Sequence, residues 1–118
     1  MNEYRGGFEN TLEREFSAYL RSLGLDVRTQ VRCDAGTADI VTEKGIYELK
    51  YRLDRSSFFQ GVGQVLLYRQ SINPQASPVL VCRTSIVPEL HRVAKRLGVE
   101  VLVWTNEHRN ITALPRSV

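Results

Sequence analysis

The chain has 118 residues, 42% of them hydrophobic and 25% charged, with a formal net charge of +3. That length supports one core and leaves no room for a second, so residues 1–118 read as a single domain, and the composition excludes a low-complexity or disordered chain. The small basic excess leans toward anionic partners but does not by itself identify nucleic acid.

No apolar run approaches the ~20 residues of a membrane helix, and the polar, charged start predicts no signal peptide. Cys33 and Cys82 are far apart, with no CxxC and no adjacent histidine pair. Reduced thiols and a cytoplasmic setting are therefore expected.

From Phe8 onward, Leu12, Phe16, Tyr19, Leu20 and Leu23 recur at helical spacing, and Gly24 is placed to end the helix. Glu9 and Glu13 flank one edge of that apolar stripe and Glu15 the other. Residues 25–33 alternate, with Leu25, Val27, Thr29, Val31 and Cys33 against Asp26, Arg28, Gln30 and Arg32. This is the pattern of a half-buried strand with a polar outer face.

Residues 36–50 read as two strands joined by a tight turn at Lys44-Gly45, with Gly36 bending the backbone just before Asp39. Tyr47, Leu49 and Tyr51 share one face of the second strand. Glu48 and Lys50 share the other, their Cβ atoms about 7 Å apart by strand rise. A carboxylate and an ammonium on the buried half of a short strand are costly unless paired. Asp39, on the neighbouring strand, completes a cluster of two acids and one lysine. Such a cluster is what a hard divalent cation and an activated water require.

Residues 51–57 are polar and basic, a loop expected to end in a helix cap at Ser56 or Ser57. Phe58, Phe59, Val62, Val65, Leu66, Arg69 and Ile72 then follow at helical spacing up to Asn73-Pro74. Gly61 and Gly63 weaken this helix by about 1 kcal/mol each unless they allow close packing on the sheet. Gln64 and Tyr68, four apart, project together. Residues 78–83 form a continuous apolar run, suited to an inner strand. A helix is expected over 85–97, with Pro88 in its first turn and Gly98 as its cap. A last strand spans 99–104, and a short edge strand is expected over 110–114. His91 and His108 read as surface histidines. Cys33 reads as a strand-end core residue, because a hard cation prefers oxygen.

The order α, three strands, α, β, α, β predicts an α/β fold. The first three strands form an antiparallel meander, the later ones join in parallel, and helices cover both faces of a mixed sheet.

Placed on these elements, Glu13, Asp39 and Glu48-Leu49-Lys50 resemble the motif of the PD-(D/E)XK nuclease superfamily. The start Glu13-Arg14-Glu15-Phe16, with Gly24-Leu25 closing the helix, is similar to the first helix of archaeal Holliday-junction resolvases. Gln64-x-x-x-Tyr68 is similar to the QxxxY motif of RecB-like nuclease domains. The element order matches from about residue 9 to residue 104. Ala38 stands where many members carry proline.

The resemblance implies a restriction-endonuclease-like αβββαβ(αβ) core and Mg²⁺-dependent hydrolysis of DNA phosphodiesters, with Mn²⁺ as a substitute. Asp39 and Glu48 would be the principal metal ligands, with the Leu49 carbonyl, and Glu13 would be an outer ligand. Lys50 would orient or help deprotonate water and offset charge at the phosphate. Gln64 and Tyr68 would hold the site or contact the substrate backbone. Arg14, Arg28, Arg32, Arg52, Arg55 and Arg69 are candidates for phosphate contacts, which position a duplex without reading its sequence.

A two-fold homodimer would place two sites on two strands, with Phe58 and Phe59 either a dimer surface or core. Two other readings stand beside the endonuclease. One is a non-catalytic nucleic-acid-binding module on the same fold, which would be expected to lose acids that repel phosphate. The other is an interaction domain in which Glu48 and Lys50 are a solvent-facing pair worth ~0–1 kcal/mol.

Overall fold

The computed structural model describes residues 7–105. The elements in order are α1 (Gly7–Ser22), β1 (Arg28–Cys33), β2 (Gly36–Val41), β3 (Gly45–Leu49), β4 (Arg52–Leu53), α2 (Arg55–Ile72), β5 (Ser77–Cys82), β6 (Thr84–Ser85), α3 (Pro88–Arg96) and β7 (Glu100–Val103). Five strands form one sheet in the order β1-β2-β3-β5-β7, and β4 and β6 make a separate two-stranded parallel pair. The first three strands run antiparallel, whereas β3, β5 and β7 are parallel. This is a mixed α/β sheet of the class expected from the element order.

Two crossovers that step in one direction along a sheet, with one hand, place their helices on one face. Accordingly α2 and α3 share a core layer: Phe58, Val65 and Ala94 pack with Val41, Ile46, Leu80 and Val99. On the opposite face, Leu12, Phe16 and Leu20 of α1 pack with Ile40, Tyr47, Leu49, Val79, Val81 and Trp104. Strand alternation sends neighbouring residues of β3 and β5 to opposite layers, which is why both strands are almost wholly buried.

Local chemistry departs from expectation at several places. The cap of α2 is Asp54, not Ser56 or Ser57. The Ser57 N–H donates to Asp54 Oδ1 at 2.9 Å, and the Asp54 N–H donates to Ser57 Oγ at 3.0 Å. Ser57 thus takes the N3 place of a reciprocal capping box. Ser85, expected to begin a helix, instead pairs with β4 together with Thr84, and α3 starts at Pro88, where the missing N–H costs nothing.

Gly45 does not supply a left-handed turn. It is needed because a Cβ there would lie 2.6 Å from the Tyr47 hydroxyl. Gly61 does allow close packing, since a Cβ would meet Leu80 Cδ2 at 2.7 Å, whereas the space beside Gly63 is open. Cys82 is fully buried, and desolvation pushes its thiol up to about 12. His91 is not a plain surface residue: it shares a 2.7 Å hydrogen bond with Ser85 Oγ and stacks on Phe58. His108 and the strand expected over 110–114 lie outside the described residues. Among the described residues, no helix is long and apolar enough to cross a membrane.

Candidate active site

The site forms where the β2–β3 ladder opens. Ile40 pairs with Tyr47 and Val41 with Ile46, and at Asp39 the pairing stops. The β1–β2 register also skips this point, passing from Thr29↔Ile40 to Val31↔Ala38. Gln30 falls in the gap with φ of 51°, a left-handed conformation that a non-glycine residue adopts at a cost. The regular alternation slips here: Ile40 joins the α1 layer, yet Ala38 joins the α2 layer. Gly36 enters the strand at φ 135°, and a Cβ there would lie 3.2 Å from the Tyr68 ring. It therefore serves both the bend and the approach of α2.

The kink changes what Asp39 can do. With β2 splayed away, the Leu49 N–H has no strand partner and donates instead to Asp39 Oδ2 at 2.9 Å. N–H and C=O of one strand residue point to the same edge, so the Leu49 carbonyl opens toward Asp39 as well. Glu48 lies one residue before, on the α2 face. Asp39 and Glu48 are only 7% and 5% exposed. Lys50, two residues on and on the same face, places Nζ 3.8 Å from Glu48 Oε2 and donates to Gln60 Oε1 at 3.3 Å.

Helix α2 closes the site with a stripe at i, i+4 and i+8: Gln60, Gln64 and Tyr68. Burial raises the Tyr68 pKa, and the nearby charges of Glu48 and Asp39 raise it further, against a hydrogen bond from Gln64. The phenol thus stays protonated and faces both acids. Gln64 Oε1 is buried with no hydrogen-bond partner among the described residues, so one polar acceptor of the stripe remains for something else.

Glu13 is linked to this cluster through Gln30. The Gln30 amide donates to Glu13 Oε1 at 2.8 Å and to Asp39 Oδ1 at 3.3 Å. Among the described residues, no three His, Cys, Asp or Glu side chains gather closely enough to hold an ion by themselves. The donors brought together are two carboxylates and a main-chain carbonyl. All are hard oxygens, and the set suits Mg²⁺ or Mn²⁺ better than a thiolate- or imidazole-seeking metal. Glu15, on the other edge of α1, pairs with Arg83, which lies over the Trp104 ring at 5.2 Å.

The arginines divide by position. Arg52 and Arg55 are exposed beside Lys50 in sequence, and Arg32 is exposed on β1 opposite Thr37, toward the open end of the ladder. Arg28 pairs in register with Val41 and lines a cavity with Thr42, Glu43 and Asn73, at the closed end away from Asp39. Arg14 is exposed on α1, and Arg69 is half-buried in the last turn of α2.

Gln30 and Gln60 were not among the residues that the sequence singled out. Gln60 was discoverable as one turn before Gln64. Gln30 showed only as a polar position on an alternating strand. Comparison with family models, curated proteins and solved structures finds no match for this chain.

Proposed function

We propose that this protein is a metal-dependent DNA endonuclease with a PD-(D/E)XK-type site on a restriction-endonuclease-like core. The observation that carries the reading is the opened ladder. It turns Asp39 toward Leu49, next to Glu48, with Lys50 following on the same face. The order of elements and the Gln64–Tyr68 pair over the acids support the same reading.

Asp39, Glu48 and the Leu49 carbonyl would hold one or two Mg²⁺ or Mn²⁺ ions. When bound, such an ion polarises the scissile phosphate and makes water nucleophilic at neutral pH. Lys50 sets a positive charge beside the phosphate as negative charge builds on its oxygens. Tyr68, kept protonated by burial and by its acidic neighbours, retains its O–H as a donor and does not act as a base. Glu13, linked through Gln30, orients Asp39 from the α1 side. Exposed Arg32, Arg52 and Arg55 position the DNA backbone. Cutting both strands requires two such sites, which a two-fold homodimer would supply.

The test is cleavage of labelled duplex, single-stranded, flap and four-way-junction DNA with Mg²⁺ or Mn²⁺. Wild type runs beside Asp39→Ala and Lys50→Ala. Metal-dependent cutting lost in both variants is the expected result. DNA binding with no cutting, unchanged in the variants, would leave the non-catalytic binding module in its place.

A further inference from the structure

Two phenylalanines stand open to solvent on α1 and α2, the helices on either side of the sheet that carries this site. Phe8 is 69% exposed and Phe59 53%, while Phe16 and Phe58 are buried. Single exposed apolar residues are ordinary and need no explanation. These two differ because each has a neighbour over one ring face, and each is joined along the chain or by that neighbour to a residue adjoining Lys50 or its partner Gln60.

Phe8, in the first turn of α1, stacks on Tyr51 with ring centroids 4.7 Å apart and 27° between the planes. Tyr51 directly follows Lys50. One face of Phe8 is therefore covered by Tyr51, and among the described residues the ring is otherwise largely exposed. Phe59 lies in the second turn of α2, with the Arg55 guanidinium 5.1 Å over its ring. The next residue is Gln60, which accepts from Lys50. Arg52 and Arg55 are both exposed, and the carboxylate between them, the Asp54 cap, already accepts from the Ser57 N–H and hydroxyl.

Oriented aromatic faces interleaved with guanidinium groups fit one partner chemistry well. In a paired duplex the base faces are hidden, and only phosphate and sugar meet a flat ring. Unpaired nucleotides expose their π-faces, which stack on aromatic side chains while cations track the phosphates.

We propose that the DNA taken by this site carries unpaired nucleotides, whose bases stack on Phe8 and Phe59 while their phosphates meet Arg52 and Arg55. This inference rests on the nuclease reading for the site it serves. It names the substrate class that the motif residues alone leave open.

The experiment measures fluorescence anisotropy of a labelled single strand and of the matching blunt duplex, with Ca²⁺ in place of Mg²⁺. Wild type is compared with Phe8→Leu and Phe59→Leu, which keep apolar bulk but lose the π-face. Circular dichroism melting checks that both variants fold. Wild type is expected to prefer the single strand. Each variant weakens single-strand binding about tenfold and leaves duplex binding unchanged.

Equal loss on both DNAs, or no single-strand preference in wild type, overturns the platform. So does a dimer in sedimentation that the leucine variants dissociate without changing DNA preference, because the rings would then be a subunit interface. Cleavage in Mg²⁺ separates the two readings. Normal cutting by the variants on every substrate retains the nuclease and discards the platform. Altered single-strand binding with no cutting by wild type retains the platform and discards the nuclease.

Discussion

The two faces of the central sheet are made by the same strands, yet they carry opposite contents. On the α1 face, Phe16 meets Tyr47 and Trp104 edge-on at 5.5 and 5.6 Å, amid leucine, isoleucine and valine. On the α2 face, the alternate residues of β3 are Ile46 and Glu48, with Lys50 just past the strand's end. There α2 presents Gln60, Gln64 and Tyr68 alongside its apolar residues. Period-two alternation separates a layer that stabilises the fold from a layer that holds charge. The dry face fixes the strands, and fixed strands allow buried acids on the wet face to keep their positions.

The largest effect expected from breaking this division is on the wet face. Asp39→Asn retains an oxygen that accepts from the Leu49 N–H but loses the charge. It should reduce metal-dependent cleavage about a thousandfold, while stability in urea stays within ~1 kcal/mol of wild type. Asp39→Ala should lose the same activity and also about 1–3 kcal/mol, because it leaves a buried N–H unpaired. Cleavage rates and urea midpoints for the two variants separate the chemical role of the carboxylate from its structural one. Equal destabilisation by both would mean that the Leu49 bond carries little.

On the dry face the same comparison runs the other way. Phe16 is fully buried against Tyr47 and Trp104. Phe16→Ala should cost about 3–5 kcal/mol of unfolding free energy, read from urea denaturation. If the remaining folded fraction still cleaves at the wild-type rate per folded molecule, the face acts by holding the strands and not by shaping the site.

Much of this division was legible in the sequence. The helical spacing of Leu12, Phe16 and Leu20 and the alternation through Tyr47, Glu48, Leu49 and Lys50 give the two faces directly. Asp39 was legible as a residue, but its geometry was not. Its orientation depends on an interrupted register and on a left-handed Gln30, and neither has a propensity signature. Gln30 binds Asp39 from nine residues away and Glu13 from seventeen, a tertiary arrangement that local pattern does not encode. The α2 cap was missed for a different reason. Asp54-x-x-Ser57 has the reciprocal spacing of a capping box, but a serine at N3 is a less familiar partner than glutamate. Gly45 resembles a turn glycine in sequence because nothing local reports the Tyr47 hydroxyl that occupies its side-chain space.

A smaller effect sharpens the comparison at the contact between α2 and the sheet. Gly61→Ala places a methyl group 2.7 Å from Leu80 Cδ2, and Leu80 is fully buried with little freedom to yield. The expected cost is about 1–3 kcal/mol from overpacking. Gly63→Ala, two residues along the same helix and facing open space, should instead gain up to ~1 kcal/mol of helix propensity. Thermal melts of the pair should move in opposite directions. A shift in the same direction would mean that α2 slides over β5 to relieve the clash.

The smallest effect concerns His91, at the outer edge of the α2 layer. Burial holds its pKa below the ordinary 6.5, against an opposing pull from Glu89. For a base with a lowered native pKa, the unfolded chain takes up the proton first as pH falls. The favourable contribution is therefore complete above about pH 6.5 and declines as pH drops from there toward the lower native value. His91→Gln can still hydrogen-bond Ser85 Oγ but does not titrate, so its stability should change less between pH 7 and pH 5 than that of wild type. Urea midpoints at the two pH values measure this. An identical pH slope in the variant would place the titration elsewhere and leave the Ser85–His91–Phe58 contact a purely packing one.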